Sequence, residues 1–295
     1  MAGPCSRQPR DKFTRLRNHA DAALGKGRNV KSLLYVGAVL GLVLGMAGIT
    51  QAGTILIVTD TQAEEASLAA FLGTLGHTVT VSNGQQYRNG NEGAAGAAAY
   101  VAANGVDLVV ISRVTSSGDY SQFAWNSINV PMLSMSPHLA RNNRWKWIDT
   151  ADATANQAWT QINILQPTHP FMAGLTTGVI ADFSAFGDEL SYNNTTNAGN
   201  GVLVATKGDG LNLGAVSVIG WAAGVEFYPG SGQTPAARRA LIPSIPYHED
   251  LNDFTNFTAE GRLLIANTVN NMIPEPATLT LLGLGVAATL FRRRK

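Results

Sequence analysis

Thr54-Ile55-Leu56-Ile57-Val58-Thr59 is an unbroken run of apolar and β-branched residues. Such a run is typical of a strand that is buried on both faces of a parallel sheet. Residues 63–75 follow with alanine, leucine and phenylalanine at helical spacing, and Gly76 comes directly after them. This spacing predicts a helix that ends at the glycine. A buried strand followed directly by a helix predicts the first unit of an α/β domain.

The same alternation continues along the first half of the chain. Residues 77–81, 107–112 and 130–135 are the next predicted strands, and an alanine-rich helix over 93–104 and a short helix near 120–126 separate them. Strand–helix–strand units require right-handed crossovers between parallel strands. We therefore expect a parallel sheet with helices on both of its faces.

The second half is richer in strands. Candidate strands are 201–206, 215–219, 224–228 and 239–245, with Gly, Pro and Asn turns between them. Thr258 is suited to cap a final helix that runs to about residue 271. The residues expected to face inward on that helix are Leu263, Leu264, Ala266, Val269 and Met272.

Charge is distributed unevenly along the chain. Residues 1–52 hold eight Lys/Arg and two Asp, whereas residues 53–273 hold nine Lys/Arg and seventeen Asp/Glu. An acidic body does not attract phosphate backbones, so no nucleic-acid partner is predicted. Cys5 is the single cysteine, which excludes a disulfide framework and a cysteine metal site.

The N-terminal region has the features of a secretory signal. Residues 33–49 are apolar and uncharged, a basic segment precedes them, and Thr50-Gln51-Ala52 follows. This pattern predicts Sec export and signal-peptidase cleavage between Ala52 and Gly53. The alternative is an uncleaved membrane anchor, which 17 residues could just provide. The long basic head would disappear if translation began at a GTG codon for Val30, leaving an ordinary signal peptide.

The C-terminal region contains three successive elements. Pro274-Glu275-Pro276 is followed by the apolar residues 277–291 and then by a basic end: Arg292, Arg293, Arg294 and Lys295. This order resembles the PEP-CTERM sorting signal of Gram-negative bacteria. The resemblance implies processing by an exosortase, transient residence in the inner membrane, and export to the envelope, the surface or the exopolysaccharide matrix.

The alternative for this region is a permanent tail anchor. A helix of fifteen residues extends only about 22 Å, against about 30 Å for the hydrocarbon core of a bilayer. The basic cluster keeps its end on the cytoplasmic side. The expected organisation is a signal peptide over 1–52, an α/β domain over 53–273 and a sorting signal over 274–295.

Three stretches of the body resemble the class I glutamine amidotransferase-like superfamily, and its trehalose-utilisation branch in particular. They are the opening strand, residues 169–175 (His-Pro-Phe-Met-Ala-Gly-Leu) and residues 258–264 (Thr-Ala-Glu-Gly-Arg-Leu-Leu). The resemblance implies a flavodoxin-like parallel sheet with helices on both faces, here with a strand-rich second half. A signal helix and a C-terminal hydrophobic helix are expected to flank it.

Catalysis is not favoured. The amidotransferase-like enzymes use a cysteine nucleophile, and residues 53–295 contain no cysteine. A serine substitute would be Ser136, but Pro137 follows it and has no N–H group to stabilise an oxyanion. The alternative is a secreted hydrolase that uses Asp60 and Ser136 with a histidine, either His138 or His169. As a lone histidine, His169 is more simply explained by a structural hydrogen bond.

Asp60 follows the first predicted strand, at the edge where doubly wound sheets bind ligands. It could line that crevice, but capping the next helix is the favoured role. The Thr59-Asp60-Thr61-Gln62 segment lacks the glycine and the third threonine of a flavodoxin phosphate loop, and export also argues against flavin. The third strand ends in Ser112-Arg113, without an aspartate to phosphorylate. No cofactor is predicted.

Two further groups of residues are candidate ligand sites. Trp145 and Trp147 could share one face of a strand and, if exposed, stack against a sugar; core packing is favoured. The acidic cluster could hold Ca²⁺ or Zn²⁺, but its spacing matches no metal motif, so a solvated loop is expected. Its members are His248, Glu249, Asp250 and Asp253.

The favoured hypothesis is an exported protein of the envelope or matrix with a non-catalytic α/β domain, which binds a carbohydrate or another envelope component. The hydrolase described above is the alternative. The two hypotheses make different demands on the structure. A hydrolase requires serine, histidine and carboxylate within hydrogen-bonding distance of one another, and a binding module does not.

Overall fold

The computed structural model describes residues 52–121, 123–157, 160–175, 178–180, 190–242, 254 and 257–274. Within these residues, the strands are β1 (Thr54–Val58), β2 (Thr78–Val81), β3 (Leu108–Ile111), β4 (Met132–Ser134), β5 (Ala153–Gln157), β6 (Ile162–Ile164), β7 (Val179–Ile180), β8 (Leu190–Asn193), β9 (Val202–Lys207), β10 (Val216–Trp221) and β11 (Arg239–Leu241). The α-helices are α1 (Ala66–Thr74), α2 (Gly93–Asn104), α3 (Pro137–Ala140) and α4 (Ala259–Met272). Short 3₁₀ helices span Gln62–Glu65, Gly84–Tyr87, Phe123–Ser127 and Pro170–Met172.

One large sheet organises the domain, with the described strands in the order β2-β1-β3-β4-β11-β10-β9-β6-β7. The first five strands in this order are mutually parallel. The remaining neighbours pair antiparallel, and β5 and β8 form a separate antiparallel pair. The predicted α/β class and the predicted parallel order of β1 to β4 are confirmed. The sheet as a whole is mixed.

Side chains of β1 enter two hydrophobic cores, because successive side chains of a strand point to opposite faces of the sheet. Ile55 and Ile57 pack in the core beneath α1 and α4. Leu56 and Val58 pack in the core beneath α2. Each fully buried aliphatic side chain contributes about 1.5–3 kcal/mol. Helices therefore cover both faces of the sheet, as predicted.

The final helix begins as predicted. The Thr258 hydroxyl accepts a hydrogen bond from the Gly261 N–H group at 3.2 Å, and α4 ends at Met272. Leu264, Ala266, Val269 and Met272 are buried. The inward position predicted for Leu263 is wrong, since 37% of its surface is exposed.

Several local predictions are wrong. Residues 224–228 form turns rather than a strand, with Gly224 at a φ of +73°. The Trp145-Lys146-Trp147 segment lies in turns after α3, and Lys146 has a φ of +59°. In place of the helix predicted near 120–126, the described residues there form the 3₁₀ helix Phe123–Ser127. The short strands β5 to β8 have no predicted counterpart.

The predicted signal helix and the predicted C-terminal hydrophobic helix lie outside the described residues. In the part of the chain that the structure describes, no helix is both long enough and apolar enough to cross a bilayer.

Candidate ligand-binding cleft

A cleft of about 400 Å³ opens at the carboxyl ends of the parallel strands. Asp60 reaches it from the end of β1, and Arg88 from the segment after β2. The loop after β3 supplies Arg113 to Ser117, and α3 supplies His138. Strand ends at this edge are where doubly wound sheets place their ligands. The lining residues are Asp60, Arg88, Arg113, Val114, Thr115, Ser116, Ser117 and His138.

Asp60 is fully occupied by hydrogen bonds. Its Oδ1 accepts from Arg88 Nε at 2.7 Å and from the Tyr120 hydroxyl at 2.9 Å. Its Oδ2 accepts from the Ser116 N–H group at 2.8 Å and lies 2.7 Å from Arg88 Nη2. A carboxylate has about four acceptor positions, so little capacity remains for a substrate proton. The predicted role as a helix cap is wrong, because Thr61 occupies that position.

Arg88 is therefore a neutralised cation. Besides its ion pair with Asp60, its Nη1 lies 3.3 Å from Asp119 Oδ2. The bond to Asp60 is the main cause that raises the pKa of Arg88. Asp60 thus acts as a positioning group that orients Arg88 along the cleft and ties the loop after β3 to the end of β1.

Arg113 has a different environment. Its Nε donates to Ser191 Oγ at 3.1 Å, and no acidic side chain among the described residues forms an ion pair with it. Burial alone lowers the pKa of Arg113 to about 10. The guanidinium remains charged at neutral pH and lines the cleft. A largely buried cation without a counter-ion is costly unless a ligand supplies the charge.

His138 lies beside this cation. Its Nε2 atom is buried and has no hydrogen-bond partner within the described ranges. Burial lowers the pKa of His138 to about 4, and the charges of Arg113 and Arg141 add to this effect, with Asp152 partly opposing it. Neutral His138 can therefore donate or accept a hydrogen bond in the cleft without adding charge at pH 7.

Arg141 borders the same side. It donates from Nε to the His138 carbonyl at 2.8 Å and from Nη2 to Ser117 Oγ at 3.0 Å. On one side of the cleft, the charges of Asp60 and Arg88 balance each other. On the other side, the positive charge of Arg113 is not balanced by any described acidic side chain. The unbalanced side suits an anionic group, because guanidinium donors match carboxylate and phosphate oxygens.

The residues predicted for hydrolysis are not assembled at one place. Asp60 and His138 line the cleft, whereas Ser136 is fully buried and is not part of its lining. Ser136 precedes α3, and its hydroxyl has no hydrogen-bond partner among the residues that the structure describes. His169 lines a separate pocket of about 170 Å³ with Trp221. Its Nδ1 accepts from the Phe171 N–H group at 3.3 Å, which is a structural hydrogen bond of the kind expected.

Trp145 and Trp147 are fully buried, so the hypothesis that they form an exposed sugar-stacking pair is wrong. The Trp145 indole N–H donates to the Tyr120 carbonyl at 2.6 Å, and that of Trp147 donates to Asn126 Oδ1 at 2.7 Å. Their ring centroids lie 5.3 Å apart within the aromatic core. The favoured interpretation, core packing, is what the structure has.

Three important residues were missed by the reasoning from sequence. Arg88 and Arg113 lie in loops, and the signal for Arg113 was its position directly after a predicted strand. Glu65, in the 3₁₀ helix after β1, is 5% exposed and accepts hydrogen bonds from Ser112 and Thr59. Burial raises the pKa of Glu65 to about 7, against the opposing effect of these bonds.

The predicted acidic cluster lies outside the described residues, as do all four of its members: His248, Glu249, Asp250 and Asp253. Among the residues that the structure describes, no group of three or more His, Cys, Asp or Glu side chains is arranged to hold a metal ion.

Residues 273–295 match the model of the PEP-CTERM protein-sorting motif. The chain carries a PEP-CTERM motif. The match covers the sorting residues predicted from sequence, which are Pro274, Glu275, Pro276, Arg292, Arg293 and Arg294. The PEP-CTERM motif indicates an exported protein of the Gram-negative cell envelope or surface that an exosortase processes.

No curated protein matches the sequence. Among solved structures, the chain is similar to a proposed GMP synthase subunit from Thermoplasma acidophilum, with 11% identity over 74% of this chain and 93% of that chain and a TM-score of 0.42. It is also similar to a cytoplasmic protein from Salmonella typhimurium, with 11% identity over 76% and 100% of the two chains and a TM-score of 0.45. PurLQS from Thermotoga maritima gives 9% identity over 75% and 99%, with a TM-score of 0.39.

Proposed function

We propose that the body of this exported protein is a non-catalytic binding module that holds an anionic component of the envelope or the exopolysaccharide matrix in the cleft. The observation that carries the proposal is the environment of Arg113. Its guanidinium is largely buried and lines the cleft, and its one hydrogen-bond partner among the described residues is the neutral hydroxyl of Ser191.

The chemistry of the cleft defines the class of ligand. A carboxylate, phosphate or sulfate group would restore charge balance at Arg113 and accept hydrogen bonds from its planar fork. Neutral His138 and the hydroxyls of Ser116 and Ser117 are suited to the remaining polar atoms of such a ligand. An acidic saccharide presents both kinds of group, and it is a chemistry that a matrix polysaccharide can supply.

The hydrolase alternative is less well supported. Asp60 has little capacity left to accept a proton, Ser136 is buried outside the cleft, and His169 lines another pocket. A nucleophile, its base and the base's orienting group need to lie within hydrogen-bonding distance. The side chains that line the cleft are instead suited to binding an anionic group.

Export and maturation complete the proposal. The protein leaves the cytoplasm through the Sec machinery, and signal peptidase cuts between Ala52 and Gly53. It resides in the inner membrane while the exosortase acts on residues 274–295 and then joins the envelope, the surface or the matrix. The proposed partners of the protein are therefore the export and processing machinery and one anionic ligand.

The test uses protein recovered from the envelope of an exosortase-positive host. Sodium glucuronate, inorganic phosphate and glucose are titrated into it, and heats of binding are measured at low ionic strength. We expect glucuronate or phosphate to bind and glucose not to bind. Arg113→Met should weaken anion binding at least about tenfold, which corresponds to about 1.4 kcal/mol.

Arg262→Met is the matched control, since Arg262 lies on α4 and does not line the cleft. It should bind the anions like the wild type. Equal affinity of the Arg113 and Arg262 variants, or equal binding of glucose and glucuronate, would contradict the proposal. Hydrolysis of ester or glycoside substrates that is lost in Ser136→Ala with the fold intact would support the enzyme instead.

A further inference from the structure

The two ends of the folded body meet at the amino edge of the sheet, opposite the cleft. Gly53 directly precedes β1, and Ile273 directly follows α4. A Cβ atom on residue 53 would lie 2.8 Å from Cδ1 and 3.0 Å from Cγ2 of Ile273, so only glycine fits without displacement. Gly53 and Ile273 are buried, whereas Ala52 is exposed.

His77 joins these two ends through both of its ring nitrogens. The Gly53 N–H group donates to His77 Nδ1 at 3.2 Å, and His77 Nε2 lies 3.1 Å from Asn270 Oδ1 on α4. Because Nδ1 accepts, the proton of the neutral ring is on Nε2 and is donated to Asn270. Burial lowers the pKa of His77, which keeps the ring neutral and Nδ1 able to accept.

Asp107 places a negative charge at the same point. Its Oδ2 accepts from the Thr54 N–H group at 2.8 Å and lies 3.4 Å from the position that a Cβ atom of residue 53 would occupy. The backbone of Gly53 is thus flanked by a neutral ring nitrogen with a lone pair and by a carboxylate. Both groups accept hydrogen bonds. Together they could accept from a group that has more than the one N–H donor of an amide.

We propose that His77 and Asp107 form an acceptor site for the α-ammonium group of Gly53, the amino terminus that signal cleavage creates. The proposal rests on the cleavage after Ala52 that forms part of the proposed function. Hydrolysis of the Ala52–Gly53 bond consumes one water molecule, leaves a carboxylate on Ala52 and releases an amine on Gly53. Protonation of that amine gives three N–H donors in place of one.

The site explains why the residue after the cleavage point is buried and is glycine. One N–H of the ammonium keeps the bond to His77, and a second is available to the Asp107 carboxylate. The terminus is then held against Asn270 and Ile273 at the end of α4. The PEP-CTERM match begins at residue 273. The mature amino terminus therefore also contacts the first residue of the sorting motif, Ile273.

The first experiment measures the reactivity of this amine in protein from an exosortase-positive host. Mass spectrometry first identifies the amino-terminal residue. The protein is then acylated briefly near neutral pH with an amine-selective reagent, both folded and in denaturant. An ion pair favours the protonated amine, which does not react, so labelling of folded protein should be at least about tenfold slower, the effect of one pKa unit.

Variants of the acceptors sharpen this result. His77→Phe and Asp107→Asn should each restore much of the reactivity seen in denaturant. Asp149→Asn, which removes an exposed carboxylate elsewhere, should not. A terminus other than Gly53 would overturn the cleavage site and this proposal together. A Gly53 terminus labelled equally fast in folded and denatured protein would overturn the acceptor site and leave the cleavage site intact.

The second experiment tests the packing of Gly53 without altering either acceptor. Gly53→Ala should accelerate labelling of the terminus, because the Ile273 side chain has to move to make room for the added methyl group. Ile273→Ala opens that space, so in the Ile273→Ala background the same change at residue 53 should have a smaller effect. Equal effects in both backgrounds would overturn the docked position of the terminus. Melting curves recorded on every variant show that each is folded.

Discussion

Two arginines at opposite edges of the sheet, one fully buried and one largely buried, have contrasting environments. Arg239, at the start of β11, is fully buried, and its guanidinium donates to backbone carbonyls from two segments of the chain. Arg113, after β3, has the Ser191 hydroxyl alone as its hydrogen-bond partner among the described residues. The carbonyls that accept from Arg239 belong to Trp125, Asn126, Ile128, Val130, Ala237 and Arg238.

Burial lowers the pKa of both side chains, to about 9 for Arg239 and about 10 for Arg113, and both remain charged at pH 7. The difference lies in the number of acceptors. Carbonyl dipoles surround Arg239, so its charge stabilises the loop before β4. The charge of Arg113 lacks this compensation among the described residues, which is why we propose it as the contact for an anionic ligand. The acceptors around a buried cation, rather than its burial, indicate whether its role is structural or functional.

The largest expected effect is on stability at Arg239. Arg239→Met should destabilise the protein by about 3–5 kcal/mol, because several buried carbonyls lose their donor at once. Unfolding in urea measures the change. Arg238→Met is the control, since the exposed Arg238 side chain donates, among the described residues, only to the carbonyls of Asn271 and Met272 and to a side-chain oxygen at the end of α4. Equal losses for the two variants would contradict the structural role of Arg239.

The second prediction concerns Glu65, a buried acid that accepts a hydrogen bond from Ser112, the residue before Arg113. Its pKa is raised from 4.5 to about 7, so the folded state binds the proton more tightly than the unfolded state. The stability that the protonated form contributes is complete below about pH 4.5 and is lost as pH rises through about 7. The shift corresponds to about 3 kcal/mol. Glu65→Gln, which stays neutral, should remove this loss.

His138 has the opposite pH dependence, and the measurement has to separate the two. Its pKa is lowered from 6.5 to about 4, so its contribution is present above about pH 6.5 and is lost as pH falls toward 4. Melting temperatures of the wild type and Glu65→Gln at pH 5 and pH 8 isolate Glu65, because His138 contributes equally to both proteins. If the melting temperatures of the two proteins change by the same amount between these pH values, Glu65 is ionised throughout that range. Its carboxylate would then partly balance the charge of Arg113.

A smaller effect on stability is expected for Arg113 itself. Arg113→Met removes a desolvated cation with one neutral partner, so its free energy of unfolding should stay within about 1 kcal/mol of the wild type or rise. Urea unfolding without anions tests this, with Ser191→Ala to measure the loss of the single hydrogen bond. A loss as large as that of Arg239→Met would remove the contrast between the two arginines.

The smallest effect is expected at Ser136. Its buried hydroxyl has no hydrogen-bond partner in the described part of the chain, so Ser136→Ala leaves no acceptor or donor there unsatisfied. The free energy of unfolding should change by less than about 1 kcal/mol, and any activity on ester or glycoside substrates should be unchanged. Thermal unfolding and a substrate panel are the measurements. A specific loss of hydrolysis would return the serine to the candidate site.

Much of the fold was predictable because its signals are local. The strand β1 and helix α1 follow from the spacing of apolar residues over a few turns or pleats. The cap at Thr258 depends on a residue three positions away. The PEP-CTERM motif is likewise a linear order of elements. Patterns of this kind act over one element, so they can be read without knowing what packs against it.

The cleft was only partly predictable because its contacts join distant segments. Asp60 was recognised as a strand-end residue, but its role depends on Arg88, 28 positions later. The partner of Arg113 lies 78 positions away, on β8, a strand with no predicted counterpart. Trp145 and Trp147 lie in turns that have no periodicity, and their burial follows from the aromatic core that surrounds them.

The sequence by itself determined the α/β class, the parallel order of β1 to β4 and the PEP-CTERM motif, because periodicity and linear order are properties of single segments. Only the tertiary structure decided that β10 pairs antiparallel with β11 and makes the sheet mixed, that Asp60 forms an ion pair with Arg88, and that Arg113 has no counter-ion among the described residues. These depend on which distant groups become neighbours, and the balance of charge in a buried site is a property of those neighbours.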